Sequence, residues 1–431
     1  MSHPSPLRPA DGRTIALSGR GRTFITVGVI STLTGLILGV TDLQRVGVLL
    51  LVLPIPAWTA VRQSRAGLRI QHVVHPARTE VGSRVEVRLT LGNPNAFTTG
   101  PLRVTETVPG GRPLRFSVAG IRGRQRRTVA YPLPPLSRGR HLVGPTDISA
   151  SDPFSLVVAN SRSADTAEVI VQPRREQLAS LTLPMAWQDG GAHTSHSVGS
   201  GGSDDASVRD YRYGDDLRKI HWRSSARSGN LMVRQEERPW HGRSLVLLDS
   251  RVTAYPTRPV EHDSPAFEWA VSAAASIGAH LSERGRRVTL VNGSGRAAHE
   301  DQLAMLDLLA DTRLAPRPDL EPLSDALNGI GRDASVFAIL ACHDRNQLAA
   351  MIGRPRMPGS AVALLIKPWT FDTGLGPEAA GLESVDDEAE ADWQEAAGLL
   401  TGNGWRVVPV QGGDVLPELW PMLLATSGVR R

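Results

Sequence analysis

Two apolar stretches set close together dominate the N-terminal pattern. Thr23 to Val40 carries no charged side chain, and neither does Val46 to Val61. A membrane-crossing helix takes roughly 20 apolar residues, with about 17 at the short end. The first stretch meets that length; the second reaches it with a flanking residue counted, and Pro54 and Pro56 would kink its later half. TDLQR between them is just long enough for a turn. A cleaved signal sequence has a shorter apolar core and no second run behind it. The pattern therefore predicts a transmembrane helical hairpin over 23–61, preceded by a basic tail over 1–22. Arg8, Arg13, Arg20 and Arg22 come before it, Arg62, Arg65 and Arg69 follow it, and the turn holds only Asp42 and Arg45. Arginines on both flanks place both ends in the cytoplasm of a multi-pass protein of the cell membrane.

Over 66–173 the period changes to two. Val85 to Leu91 alternates cleanly and Leu102 to Val108 nearly so, with turn clusters such as GNPNAFTTGP, PGGRP and SRGR between. Regular short strands with turn signals predict a β-rich, sandwich-like domain. Arg122, Arg124, Arg126 and Arg127 form a basic cluster in it, either a solvated hairpin tip or a tip near anionic headgroups. Residues 189–203 are Gly, Ser and His without periodicity and read as a linker; His193 and His196 have no acidic or cysteine neighbour that would make them metal ligands.

From 244 to 431 strands alternate with helices. Ser244–Asp249, Arg287–Asn292, Ser335–Ala341, Ala361–Ile366 and Trp405–Val410 read as strands, the last an edge strand because of Pro409. Pro265–Glu283 and Leu303–Leu309 read as helices, and the acidic stretch Glu383 to Asp392 as a loop leading into a helix at Trp393. This alternation predicts a mostly parallel sheet covered on both faces. Ligands of such sheets sit beyond the carboxyl ends of strands, where Asp249 and Asp344 fall.

Composition changes this picture little. The 431 residues carry a formal charge of +5, too modest by itself for a nucleic-acid role. Lys219 and Lys367 are the only lysines, and Cys342 is the only cysteine, which excludes a disulfide framework and a cysteine-based zinc cluster. No G-x-S-x-G elbow, P-loop or H-E-x-x-H is present. Cys342, His343 and Asp344 have the composition of a nucleophile and base, but adjacent residues at a strand end point in different directions.

The densest block lies within 204–243, where Arg209 to Glu237 reads RDYRYGDDLRKIHWRSSARSGNLMVRQEE. Asp215 is a good helix N-cap, Leu217, Ile220 and Ser224 fall at helical spacing to about Arg227, Gly229 would end the helix, and Leu231 to Val233 enters a strand. Its arginines admit three readings. Asp210, Asp215, Asp216, Glu236 and Glu237 can pair with them in an internal network. Arg218, Trp222, Arg223 and Arg227 can form a docking surface, Trp and Arg being the usual interface anchors. Nucleic-acid binding is the third, disfavoured by the interleaved acids.

The order Arg209, Tyr211, Gly214, Asp215, Asp216, Arg218, Ile220, Trp222, Ser225, Ala226, Arg227 and Gly229 resembles the signature of the bacterial DUF58 family. The hairpin, a β-rich segment with Ser137 to Pro145 and Asp152 to Phe154, the signature and a C-terminal α/β domain follow in the same order. The resemblance implies a von Willebrand factor A-like fold for 244–431. It also implies a non-enzymatic membrane adaptor for a MoxR-type AAA+ ATPase, encoded near a transglutaminase-like membrane protein, in assembly or maturation of envelope or enzyme complexes. No nucleic-acid partner is expected. A hydrolase built at the strand ends, around Asp249, Asp344 or Cys342, is the alternative. The A-domain metal motif D-x-S-x-S would hold Mg²⁺ through hard oxygens. Here Asp249 and Thr253 match it, Arg251 replaces the first serine, and Asp344 and Ser324 match loosely. A cation inside a cation's first shell opposes binding.

Overall fold

The computed structural model describes residues 8–65, 68–152, 154–180, 208–210, 222–229, 231–234, 242–255, 264–316, 319–331, 334–341, 345–352, 360–371 and 383–424. It is a mixed α/β protein with several sheets. The chain divides into two units, Met1–Arg174 with Leu306–Thr312 and Arg175–Met305 with Arg313–Arg431.

The first unit begins where a tail was expected. Arg8–Leu17 is strand β1, paired with a later strand of the domain. Pro9, Asp11 and Gly12 hide its pattern in the sequence, but Ile15 and Leu17 pack against Leu156, Val157 and Ala159. α1 (Gly19–Leu38) follows, capped by Ser18, whose hydroxyl accepts from Gly21 N–H at 3.0 Å. It is the one described helix both long and apolar enough to cross a membrane. The second apolar stretch is not one helix: it breaks at Leu53 into α2 (Thr41–Val52) and α3 (Pro54–Arg65). Pro54 and Pro56 cannot donate to the preceding turn, and Ala57 and Val61 are drawn onto Leu156, Val157 and Ala159. α1 and α2 lie in close contact because glycines meet there. A Cβ on Gly47 would stand 2.3 Å from Thr32 Oγ1, and one on Gly28 would stand 2.9 Å from Leu51 Cγ. Small residues that let two backbones approach are the usual device of membrane helix pairs. The opposite faces are apolar and exposed, with Leu36 at 68% and Ile37 at 82%.

The remaining strands of this unit are β2 (Arg69–His75), β3 (Arg78–Glu80), β4 (Glu86–Gly92), β5 (Leu102–Glu106), β6 (Leu114–Val118), β7 (Arg126–Pro132), β8 (Gly139–Val143), β9 (Thr146–Ser151), β10 (Val157–Ser163) and β11 (Ala167–Gln172). Eight join in the order β6-β5-β9-β10-β1-β2-β4-β7, and β3-β11-β8 form a separate sheet. Ile70, Leu89, Leu91, Leu102, Val104, Ile148 and Val169 from both sheets share one core. β1 pairs with both β10 and β2, so the whole helical hairpin is inserted between two neighbouring strands.

Inside this core sits a charged quartet that the sequence pattern does not reveal. Backbone N–H of His72 donates to Asp165 Oδ2 at 2.8 Å, and Nδ1 lies 2.9 Å from the same oxygen. Nε2 faces Thr146 Oγ1 at 2.8 Å and Glu106 Oε1 at 3.1 Å, while the Thr146 hydroxyl donates to Glu106 Oε2 at 2.6 Å. Both ring nitrogens thus point at acceptors, an arrangement only the imidazolium satisfies fully. Burial alone pushes this histidine's pKa down, but the hydrogen bonds and charges of Glu106 and Asp165 outweigh it, and the net shift is upward.

The second unit carries β12 (Val208–Asp210), α4 (Trp222–Ser228) and β13 (Met232–Arg234), with β12 and β13 paired antiparallel. The six-stranded sheet then uses β14 (Arg243–Leu248), β15 (Arg287–Asn292), β16 (Ala297–His299), β17 (Ser335–Leu340), β18 (Ala361–Ile366) and β19 (Arg406–Val410). Its order is β16-β15-β14-β17-β18-β19, parallel except for β16. β14 is central and is apolar and buried from Leu245 to Leu248, and the chain goes first to β15 on one side and later to β17 on the other, which makes the gap between β14 and β17 the switch point. The helices are α5 (Pro265–Glu283), α6 (Gln302–Asp311, of which Leu306 onward is assigned to the first unit), α7 (Glu321–Gly329), α8 (Arg345–Ile352), α9 (Glu383–Gly402) and α10 (Leu416–Leu424). The acidic stretch expected as a loop is the start of α9, since carboxylates in a first turn are favoured by the helix dipole.

The histidine quartet makes a pH-dependent contribution of definite sign. Its stabilisation should be complete below the unfolded histidine pKa, about 6.5, and be lost as pH rises through the raised folded value. His72→Ala should cost about 3–5 kcal/mol, because it strands buried carboxylates. Thermal melts of the purified chain across pH check both, and an unshifted melt in His72→Ala would refute the assignment.

Candidate functional site

The signature residues divide by role. Ser225 Oγ accepts from Met232 N–H at 2.8 Å and donates to Met232 carbonyl at 3.4 Å, tying α4 to the start of β13. Gly229 has φ of 76° and its N–H closes onto Ser225 carbonyl at 3.0 Å. That left-handed turn is one a Cβ disfavours, and it ends the helix as expected. Arg209 holds the middle of β12, opposite Val233. Trp222, Ala226 and Arg227 need no such internal role and are exposed, Trp222 at 68%. Tyr211, Gly214, Asp215, Asp216, Arg218 and Ile220 lie outside the described residues, as do His193 and His196.

At the end of β14 the chain places Asp249, and its N–H continues the ladder to Ile339 carbonyl at 2.9 Å. Its carboxylate is fully buried and already holds a cation. Arg251 Nε donates to Asp249 Oδ1 at 3.0 Å and Nη2 to Oδ2 at 2.8 Å, while the Arg251 backbone N–H donates to Oδ1 at 3.1 Å. The same guanidinium crosses to α8, with Nη1 donating to Gln347 Oε1 at 2.7 Å. Arg251 is 3% exposed. Three buried hydroxyls, Ser250 Oγ, Tyr255 Oη and Ser264 Oγ, have no hydrogen-bond partner among the described residues. Burial, and then the negative charge of Asp249, hold the Tyr255 phenol in its protonated form far above the usual range.

This geometry does not fit a divalent cation. Both Asp249 oxygens are taken by Arg251, and Thr253 is exposed on the short turn Val252–Ala254. Ser324 lies on α7, where its hydroxyl faces Ala350 carbonyl at 3.4 Å. Asp344, Cys342 and His343 lie outside the described residues, among which no group of three or more His, Cys, Asp or Glu could hold a metal. A carboxylate in a bidentate pair is also a poor general base. The substitution of Arg for the first motif serine was the sequence signal for all of this.

Among known families, the description "Protein of unknown function DUF58" matches residues 207–332, running from the signature into the α/β unit. These residues are a DUF58 region. Within DUF58, therefore, fall β12, α4, β13 and the sheet as far as α7. No curated protein gives a significant match to the chain. Solved structures are similar only in part. The CARDB domain of the PF1109 protein from Pyrococcus furiosus is 12% identical, with 24% of this chain and 93% of that one covered and a TM-score of 0.17. The PKD domain of an M14-like peptidase from a Thermoplasmatales archaeon is 16% identical, covering 23% and 91%, at 0.16. The C-terminal domain of wzt is 15% identical, covering 29% and 81%, at 0.19.

If Arg251 is the resident cation, the wild-type chain should show no saturable Mn²⁺ binding by electron paramagnetic resonance. Arg251→Ser should lose about 3–5 kcal/mol of stability through the stranded carboxylate, and Mn²⁺ should restore part of it. Saturable wild-type Mn²⁺ binding abolished by Asp249→Asn would overturn the assignment.

Proposed function

We propose that the chain is a non-enzymatic, membrane-anchored adaptor whose cytoplasmic domains dock a MoxR-type AAA+ ATPase through the exposed face of α4. The observation that carries this reading is the division of labour in the signature. Ser225 and Gly229 are consumed in shaping the helix, whereas Trp222 and Arg227 are held out to solvent. An exposed indole and an exposed arginine on one short helix offer the two side-chain types that most often anchor interfaces. The neutralised Asp249 supports a scaffold in preference to the hydrolase alternative.

Membrane anchoring is supported by topology. α1 spans about 30 Å, and its uncharged part Thr23–Leu38 about 24 Å, against the roughly 30 Å of a bilayer core. The return leg is α2 with the first turn of α3. Trp58, 39% exposed, stands at its end, where aromatic residues mark the interface. Both legs leave one sheet between β1 and β2, so both ends lie on one side, and the flanking arginines favour the cytoplasm. The strand order, with antiparallel β16 at its edge and β14 ending at Asp249, supports a von Willebrand factor A-like reading of the α/β unit; the shared core of the β unit supports a sandwich-like one. A transglutaminase-like membrane protein is a further candidate partner, and assembly or maturation of envelope or enzyme complexes the candidate process.

A mild-detergent pull-down of the tagged protein from its host, with and without ATP, tests the reading. Recovery of an AAA+ ATPase is expected, with Trp222→Ala or Arg227→Ala lowering the yield about tenfold or more without changing the melting temperature. Wild-type protein that brings down no ATPase would refute it.

A further inference from the structure

We propose that a cavity at the foot of α1 binds the phosphate of an anionic phospholipid headgroup. The cavity, about 440 Å³, is lined by Ser18, Gly19 and Arg20 at the start of the helix and by residues of β5, β6, β9 and β10. No carboxylate lines it. The strand register builds its floor: Ser117 on β6 and Ser149 on β9 both stand opposite Arg103 on β5, and Asn160 on β10 stands opposite Ser149. Ser149 Oγ donates to Asn160 Oδ1 at 2.7 Å, which fixes this row. The nearest carboxylate along β9, Asp147, faces Arg162 at 3.7 Å and not the cavity. Arg20 and Arg103 are exposed, and neither has an ion-pair partner among the described residues. Two unneutralised guanidiniums beside the hydroxyls of Ser117 and Ser151, with no acid lining the cavity, form a donor set matched to a phosphate ester.

The depth selects the source of that phosphate. Arg20 precedes Thr23, the first residue of the uncharged run, by three residues, or about 4.5 Å along the helix. The headgroup layer on each side of the hydrocarbon is about 5–8 Å thick. Arg103 stands three positions along and two strands across the sheet from the Leu17–Val157 pair that feeds α1, about 14 Å, and lines the far end of the cavity that Arg20 opens. The Arg20 end of the cavity therefore opens at the depth of lipid phosphates, provided α1 enters the bilayer as read above.

Purified full-length protein, diluted from detergent into vesicles and floated, separates the two readings. Flotation with pure phosphatidylcholine reports the hairpin; its failure with every vesicle would refute the membrane anchor. Addition of phosphatidylglycerol reports the cavity. Native mass spectrometry of the detergent-solubilised protein should then show phosphatidylglycerol retained in preference to phosphatidylcholine. Arg103→Ser should weaken it about tenfold or more, and Arg126→Ala, elsewhere on the same sheet, should leave it unchanged. Equal loss in both variants, or no phosphatidylglycerol preference in a protein that still floats, would overturn the proposal. So would glycerol phosphate binding as tightly as the lipid, since that ligand needs no membrane.

Discussion

A helical hairpin that leaves a sheet between two adjacent strands must come back to the place it left. β1 delivers the chain to α1, α3 returns it to β2, and β1 and β2 pair at Arg8–Ile70 and Pro9–Arg69. Most features of the first unit follow from this closure. The two legs lie close together, which is why Gly28 and Gly47 face each other without side chains. The second leg cannot run straight, because its last turns must lie on β10, where Ala57 and Val61 are buried. Apolar surface is left on the outer faces only, where Leu36 and Ile37 stand.

The second unit solves a different problem, a carboxylate at the end of a central buried strand. An isolated carboxylate there would be costly. Asp249 is answered by an arginine two residues later in the same chain, so the cation is covalently supplied and always present. Its third arm, on Gln347, ties the end of β14 to α8 across the switch point. The crevice that in open α/β sheets accepts ligands is here braced by a side chain.

Much of this was legible in the sequence, and the exceptions have physical reasons. The alternating strands of the β unit, the buried strands of the α/β sheet and the helix Pro265–Glu283 were readable because long periodic segments report directly which face is buried. β1 was not, since Pro9, Asp11 and Gly12 interrupt the alternation and its partner is far along the chain. The break at Leu53 was announced by two prolines, but an apolar count cannot tell lipid from β10 as the surface that takes Ala57 and Val61. His72 was invisible for a similar reason: Glu106, Thr146 and Asp165 come from three separate segments, and only folding brings them within 3.1 Å. At the signature, glycine and serine were readable as punctuation, while the exposure of Trp222 needed the structure.

The pairing of β1 with β10 also imposes an order on biogenesis. β1 is synthesised just before the hairpin, yet its partner emerges only after the hairpin and eight further strands. The apolar legs thus leave the ribosome with their anchoring domain unfinished. Closing such long-range pairs is slow, and exposed apolar segments aggregate during the wait. Under the membrane-anchored reading proposed above, lipid covers the hairpin in that interval, and insertion precedes completion of the sheet around it. The hairpin is then the element around which the β unit closes last, at the pairing of β1 with β10.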